Sequence, residues 1–269
     1  MEIKRDSYLQ QLISYRFDGL VKVITGIRRC GKSYLLMNLY KDYLLRSGVK
    51  EDQIIVIQLD LAKDIRYRNP LELSAYVRSM VEGKSEEFYL FVDEIQMSDK
   101  VANPYSPSGE KITFYDALND LRNLSNLDVY VTGSNSRFLS SGVLTGFRGR
   151  GDEIRMYPLS FAEYSSVYEG SADEAWDDYC VYGGLPLILS RDSAEEKAGY
   201  LTSLFQKVYL SDIIDRHNVR NRDELDELVD VLASAVGSLT NPVKLANTFK
   251  TIKKKTISDK TLKNYLDYL

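Results

Sequence analysis

The chain before Pro158 is predicted to adopt an α/β fold, a parallel sheet covered by helices. Two observations predict it. Short apolar runs alternate with amphipathic stretches up to Pro158, and beyond that point the runs stop and the pattern turns helical. The expected strands are Val21–Thr25, Ile54–Leu59, Phe88–Val92, Asp128–Thr132 and Glu153–Tyr157. Between them lie the expected helices Lys32–Arg46, with Leu35, Leu36, Leu39 and Tyr43 on one face, Leu71–Val81, and Thr113–Leu124. The stretch "NPYSPSGEK" (103–111), with two prolines and a glycine, reads as a mobile loop. Breaks are expected near Leu159–Glu163 and near Gly237–Pro242. They divide the chain into a core over 1–162, a helical segment over 163–238 and a terminal module over 239–269.

Composition bounds the function. With 269 residues, 44% hydrophobic and 28% charged, the chain is long enough for a sizeable core and reads as soluble. No apolar run approaches the roughly 20 residues of a membrane span, and no apolar signal segment opens the chain, so no membrane partner is expected. Two cysteines, Cys30 and Cys180, make no disulfide framework, and a cytoplasmic location is expected. A net charge of -4 argues against a chain that coats nucleic acid with its whole surface. The single histidine, His217, leaves little for a zinc site, so any metal is expected to be held by oxygen.

The stretch "VITGIRRCGKSYLL" carries the strongest chemical signal. Gly26, Ile27, Arg28, Arg29, Cys30, Gly31, Lys32 and Ser33 match G-x-x-x-x-G-K-[ST], preceded by a strand and followed by an amphipathic helix. The glycines let backbone N–H groups turn toward a phosphate, and the helix N-terminus adds partial positive charge. Lys32 is placed to reach the outer phosphates and the Ser33 hydroxyl to ligate Mg²⁺. Cys30 is either a reactive thiol or a small loop side chain.

In "FYLFVDEIQ" a buried strand delivers Asp93 and Glu94 at its C-terminal end, the edge where open parallel sheets bind ligands. Asp93 is expected to hold Mg²⁺ through its water shell and Glu94 to polarise the attacking water. After "DVYVT", Ser134 and Asn135 stand where a γ-phosphate or water would be positioned; Thr132-Gly133 equally fits turn chemistry. Arg148 and Arg150, in "GFRGRGDEIR", are candidates for stabilising charge on a transferring phosphoryl group.

With these residues in place the chain resembles the bacterial and archaeal AAA-type ATPases of the STAND-like branch. "VITGIRRCGKS", "FVDEIQ", "YVTGSNS", "RGRGDEIRMYPLSFAEY" and "YGGLPLIL" fall in that family's order. The resemblance implies a P-loop NTPase fold with a five-stranded parallel sheet of the AAA+ (ASCE) type, in which another strand separates the acidic strand from the phosphate-loop strand. A helical lid and a partial winged helix follow. It implies ATP/ADP as ligand, and no Asn-Lys-x-Asp guanine motif occurs. It places Pro186 of "GGLPL" against adenine, with Gly183 and Gly184 allowing close approach; a helix stop is the equal alternative. Tyr34 stands where relatives often have a small hydroxyl residue. Many members carry a further C-terminal domain of unknown function, expected to be absent here.

In the terminal module, Pro242–Phe249 and Ser258–Leu269 read as helices, the second with Ser258 as N-cap and Leu262, Tyr265, Leu266 and Leu269 as its apolar stripe. Lys250, Lys253, Lys254, Lys255, Lys260 and Lys263 cluster around it, either as a solvated face or as a weak DNA contact. The stripe runs to Leu269 without a cap, so the wing strands are expected to lie beyond it. His217 is expected to be a polar helix-end residue and Trp176 part of the lid core. The expected activity is slow, Mg²⁺-dependent ATP hydrolysis driving a conformational switch, with a nucleotide-bound scaffold that tethers DNA or a protein partner as the alternative. The protein partner and the oligomeric state are left open.

Overall fold

The computed structural model describes residues 3–106, 109–133, 147, 149–253 and 257–269. Five strands form one parallel sheet: β1 (Val21–Thr25), β2 (Ile54–Gln58), β3 (Phe88–Asp93), β6 (Leu127–Thr132) and β7 (Gly151–Arg155), in the order β2-β3-β6-β1-β7. The P-loop NTPase fold expected from the resemblance is therefore present. β6 lies between the acidic strand β3 and the phosphate-loop strand β1, with Val92 beside Val131 and Val23 beside Val131 on the other side. A two-stranded antiparallel ribbon, β4 (Val101–Ala102) with β5 (Lys111–Ile112), closes the proline-rich loop at its base.

β1, β3 and β6 are buried along their whole length, so their sequences are apolar-rich without alternation, broken only by the buried Lys22 in β1 and Asp128 in β6 and by polar residues at the strand ends. One face packs against the helices Pro70–Val81 and Phe114–Leu121 through Leu73, Val77, Leu118 and Leu121. The other packs against helix Asp6–Ser14 and the helical run over 32–46. Side-chain caps set the helix starts: Asn69 accepts from Leu71 N, and Thr113 forms a capping box with Asp116.

The run over 32–46 differs from expectation in its buried face. Leu35, Leu36, Tyr40 and Leu44 are fully buried, whereas Leu39 and Tyr43 are half-buried. The cause is a π-helical segment at Leu35–Tyr40, whose wider turn offsets the buried positions. Tyr40 thereby reaches a buried polar chain: its hydroxyl lies 2.6 Å from that of Tyr130, which donates to Asp128 at 2.7 Å. Lys22, buried in β1, closes the chain on Asp128 and on Asp18, each at 2.6 Å.

The chain divides into two compact units, residues 1–191 and 192–269. Within the first, the sheet is followed by helix Phe161–Ser165, helix Ala172–Tyr182 and a 3₁₀ turn Pro186–Ser190. Trp176 is 51% exposed, stacking on Tyr179 and meeting Phe161 edge-on, so it caps an aromatic cluster at the surface and is not core. The second unit is helical among its described residues, with a core of Leu225, Leu228, Leu245, Phe249, Leu262 and Tyr265. In this unit His217 ends helix Ser211–His217 and stacks on Tyr268 with ring centroids 3.9 Å apart. No helix of the described residues is long and apolar enough to cross a membrane.

Candidate functional site

β1 delivers the phosphate loop. The carbonyl of Thr25, its last residue, accepts from Met156 N at 2.8 Å, so the loop starts pressed against the chain that leaves β7. At Gly26 (φ +146°) a Cβ would lie 2.2 Å from the Met156 carbonyl oxygen, and only glycine fits. Arg29 (φ 68°) and Gly31 (φ +102°) then turn through left-handed backbone, and the helix begins at Lys32. Lys32 is buried and its Nζ donates to the carbonyls of Gly26 (2.9 Å) and Ile27 (3.0 Å). Burial pushes the Lys32 ammonium below its ordinary value, partly opposed by Cys30, Glu94 and Asp93. An anionic ligand at this position would compensate that charge. Burial also raises the Cys30 thiol, which makes it a small packed loop side chain and not a reactive thiolate. Ile27 and Arg28 are half-buried, while Arg29 and Tyr34 are exposed.

β3 ends at Asp93, only 4% exposed. Ser33 Oγ donates to Asp93 Oδ1 at 2.9 Å, joining the phosphate loop to the acidic strand across β6. Thr132, the last residue of β6, donates to the same oxygen and accepts from Glu94 N at 3.2 Å. Glu94 itself sits in left-handed backbone (φ 53°, ψ 48°), and Gln96 Nε2 donates to its carboxylate. Burial holds the Asp93 carboxyl above the usual aspartate range, against the hydrogen bonds from Thr132 and Ser33. Hard oxygen donors beside a loop with inward-turning glycines and a buried lysine fit both a nucleotide phosphate and Mg²⁺. Thr132 is the residue sequence reasoning left between two readings; a hydroxyl at the last position of a wholly buried strand was the available signal.

Other expected site residues are placed differently. Asn135, with Ser134, and Arg148 lie outside the described residues. Arg150 is exposed, and its carbonyl accepts from Val21 N at 3.0 Å, at the start of β1. The phosphate loop leaves the other end of that five-residue strand, about 13 Å away by strand rise. Arg150 therefore stands at the opposite edge of the sheet from its own phosphate loop. Pro186 is half-buried beside the loop, its Cγ 4.0 Å from where a Cβ of Gly31 would sit. Gly183 (φ +72°) caps helix Ala172–Tyr182, and Gly184 presses on Leu159, where a Cβ would lie 2.2 Å from the carbonyl oxygen. The glycine pair thus ends a helix and seats it on the core. A cleft of about 570 Å³ opens here, lined by Tyr8, Tyr157, Leu159, Tyr179 and Gly184 among others.

A family model described as an AAA domain matches residues 18–165, just over half of the chain. The chain belongs to the AAA family of P-loop ATPases. A second family model, a domain of unknown function, matches residues 173–269 of this AAA protein. The segment read as lid and terminal module carries this match. An uncharacterized protein of Haemophilus influenzae is 32% identical over 272 residues, covering 99% of this chain and 64% of that protein. The uncharacterized protein MJ1544 of Methanocaldococcus jannaschii is 28% identical over 264 residues, covering 92% and 54%. The AAA protein thus spans less than two thirds of the length of both relatives. The solved structure of the Walker-type ATPase PabY2304 of Pyrococcus abyssi covers 100% of this chain and 89% of its own, with a TM-score of 0.61 at 17% identity, a likeness of fold.

Proposed function

We propose that this chain binds ATP at Gly26–Ser33 and hydrolyses it with Mg²⁺, as a slow nucleotide-driven switch of the STAND-like kind. One observation carries the reading: Ser33, Asp93, Thr132 and Glu94 form a single hydrogen-bonded set at the C-terminal edge of the sheet. Gly26 to Ser33 cradle the phosphates, and Lys32 exchanges its carbonyl partners for phosphate oxygens. Ser33 and Asp93 are the side chains that would hold Mg²⁺, which offsets charge on the phosphates. Glu94, fixed at its backbone by Thr132 and at its carboxylate by Gln96, accepts a proton from the attacking water. Pro186, beside Gly31, takes the base.

In this proposal residues 1–162 are the cytoplasmic ATPase core, 163–238 the lid and 239–269 a partial winged helix. Asn135 positions water or the γ-phosphate. Arg150, at the opposite edge of its own sheet, serves the site of a neighbouring subunit, with Arg148 as understudy. Isothermal titration of ADP and ATP tests the reading: binding that needs Lys32 is expected, and a chain that binds neither nucleotide contradicts it.

A second reading, a nucleotide-bound scaffold that tethers DNA or a protein partner, has one observation in its favour. A groove of about 930 Å³ in the second unit is lined by Lys244, Lys260 and Lys263 together with Asn241 and Asn247. Two to four neutralised phosphates would make log affinity fall with log salt at a slope near two to four. Duplex binding that is lost in moderate salt supports this contact; tight binding that survives high salt points to a dedicated DNA-reading domain.

A further inference from the structure

A phosphate cradle works only if successive peptide units are held with their N–H groups inward, which leaves the matching carbonyls facing out and in need of donors. At Cys30 that donor is a buried cation from the chain's own N-terminal arm. Arg5 is 3% exposed, and one of its terminal nitrogens donates to the Cys30 carbonyl at 3.2 Å. The other donates to the Tyr157 carbonyl at 2.7 Å, and Nε pairs with Glu163 at 2.9 Å. Its guanidinium also lies over the Tyr8 ring, 4.8 Å from the centroid. Glu163 is fixed in turn, accepting from Ser160 N (2.8 Å) and Ser160 Oγ (3.0 Å) in the capping box of helix Phe161–Ser165.

We propose that Arg5 is a positioning residue for the phosphate loop and ties its shape to the start of the segment that follows the sheet. The peptide bond is planar and trans, so a Cys30 carbonyl held outward on Arg5 turns the Gly31 N–H to the opposite, inner side of the loop. Lys32 steadies the loop through the carbonyls of Gly26 and Ile27, and Arg5 steadies it through that of Cys30. Because the same guanidinium holds Tyr157 and Glu163, a change of the loop on filling is passed to helix Phe161–Ser165 without any contact between that helix and the nucleotide. A rigid planar fork with several donors suits this task, and a lysine cannot reproduce all three anchors.

The inference rests on nucleotide binding at this loop, and the test separates the two. ADP affinity is measured by titration for wild type, Arg5→Met and Arg5→Lys, together with melting temperatures without and with ADP. A wild type that binds no ADP removes the parent reading. A wild type that binds, with Arg5→Met weakened on the order of tenfold or more and Arg5→Lys between the two, supports the inference. A merely structural role lowers the ligand-free melting temperature and leaves the ADP-induced rise intact; positioning shrinks that rise. Arg5→Met that is folded and binds ADP within twofold of wild type overturns the proposal. Should Arg5→Met fail to fold, hydrogen exchange on wild type decides: ADP is expected to slow exchange over residues 3–9 along with 26–33. Protection of the loop alone overturns it.

Discussion

Ser33 Oγ donates to Asp93 Oδ1 at 2.9 Å, although the two residues stand 60 positions apart, Ser33 in the helix that follows β1 and Asp93 at the end of β3, with β6 between those two strands. A hydroxyl and a carboxylate that share one short contact at the mouth of a phosphate loop form the natural pair of ligands for a hard cation. Ser33→Ala is expected to raise the Mg²⁺ concentration needed for half-maximal ATP turnover by tenfold or so, and to leave ADP binding without Mg²⁺ within a few-fold. Turnover measured across a Mg²⁺ titration checks this, and an unchanged Mg²⁺ requirement contradicts the pairing.

Asp93 also makes a pH prediction. Its carboxyl is held above the ordinary value of 3.8, chiefly by burial. A raised folded value means the ionised group costs the fold stability at neutral pH, and that cost fades as pH falls toward the unfolded value. Asp93→Asn, which can still accept from Ser33 and Thr132, should therefore melt above wild type at pH 7 and lose that advantage as pH falls toward the unfolded value. Melting curves at the two pH values measure it; a destabilised Asp93→Asn at pH 7 would show that the carboxylate is a structural group.

The sheet was readable because its central strands are buried. Short apolar-rich runs placed β1 correctly and the other four within two residues at each end. The phosphate loop and the acidic pair were readable because their residues are contiguous in sequence. Strand order came only from the family resemblance, since periodicity does not say which strands pair. Arg5 was missed because its partners Cys30 and Tyr157 lie 25 and 152 positions away, and one arginine near an N-terminus carries no pattern. The π turn at Leu35–Tyr40 was missed because a period of 3.6 was assumed throughout. The edge on which Arg150 stands was legible in the sequence, since a residue just before a parallel strand lies away from the edge where ligands bind.

The buried Lys22–Asp128 pair predicts a stability effect. Asp128 accepts from Lys22, from Tyr130 OH and from Phe17 N at 3.0 Å, so its removal strands several donors at once. Asp128→Ala is expected to destabilise the sheet unit by about 3–5 kcal/mol, and Lys22→Met combined with Asp128→Leu to recover the part owed to the stranded Lys22 ammonium, with Tyr130 OH and Phe17 N still unpaired from Asp128. Urea unfolding of the single and double variants tests this, and additive losses would contradict the pairing.

Arg150 stands about 13 Å from its own phosphate loop by strand rise, and its proposed role requires a second subunit. Arg150→Ala should bind ATP normally and hydrolyse it more slowly, toward the lower end of the 10³–10⁵ range known for supplied arginines. Mixed with Lys32→Ala protein it should regain part of the rate. Mixing that restores nothing, in an assembly shown to be oligomeric by native mass, removes the trans assignment.

The most direct measurement of the central claim is inorganic phosphate release from ATP by the purified chain, wild type against Glu94→Gln, with and without Mg²⁺. Glu94 is pinned by Thr132 and Gln96 at the end of the acidic strand, where a proton acceptor acts in the transition state more than in binding. The account predicts slow, Mg²⁺-dependent release by wild type, reduced about 10²–10⁴-fold in Glu94→Gln with ATP affinity kept. Release at the wild-type rate from Glu94→Gln, or none from a wild type that binds Mg²⁺ and ATP, would contradict it.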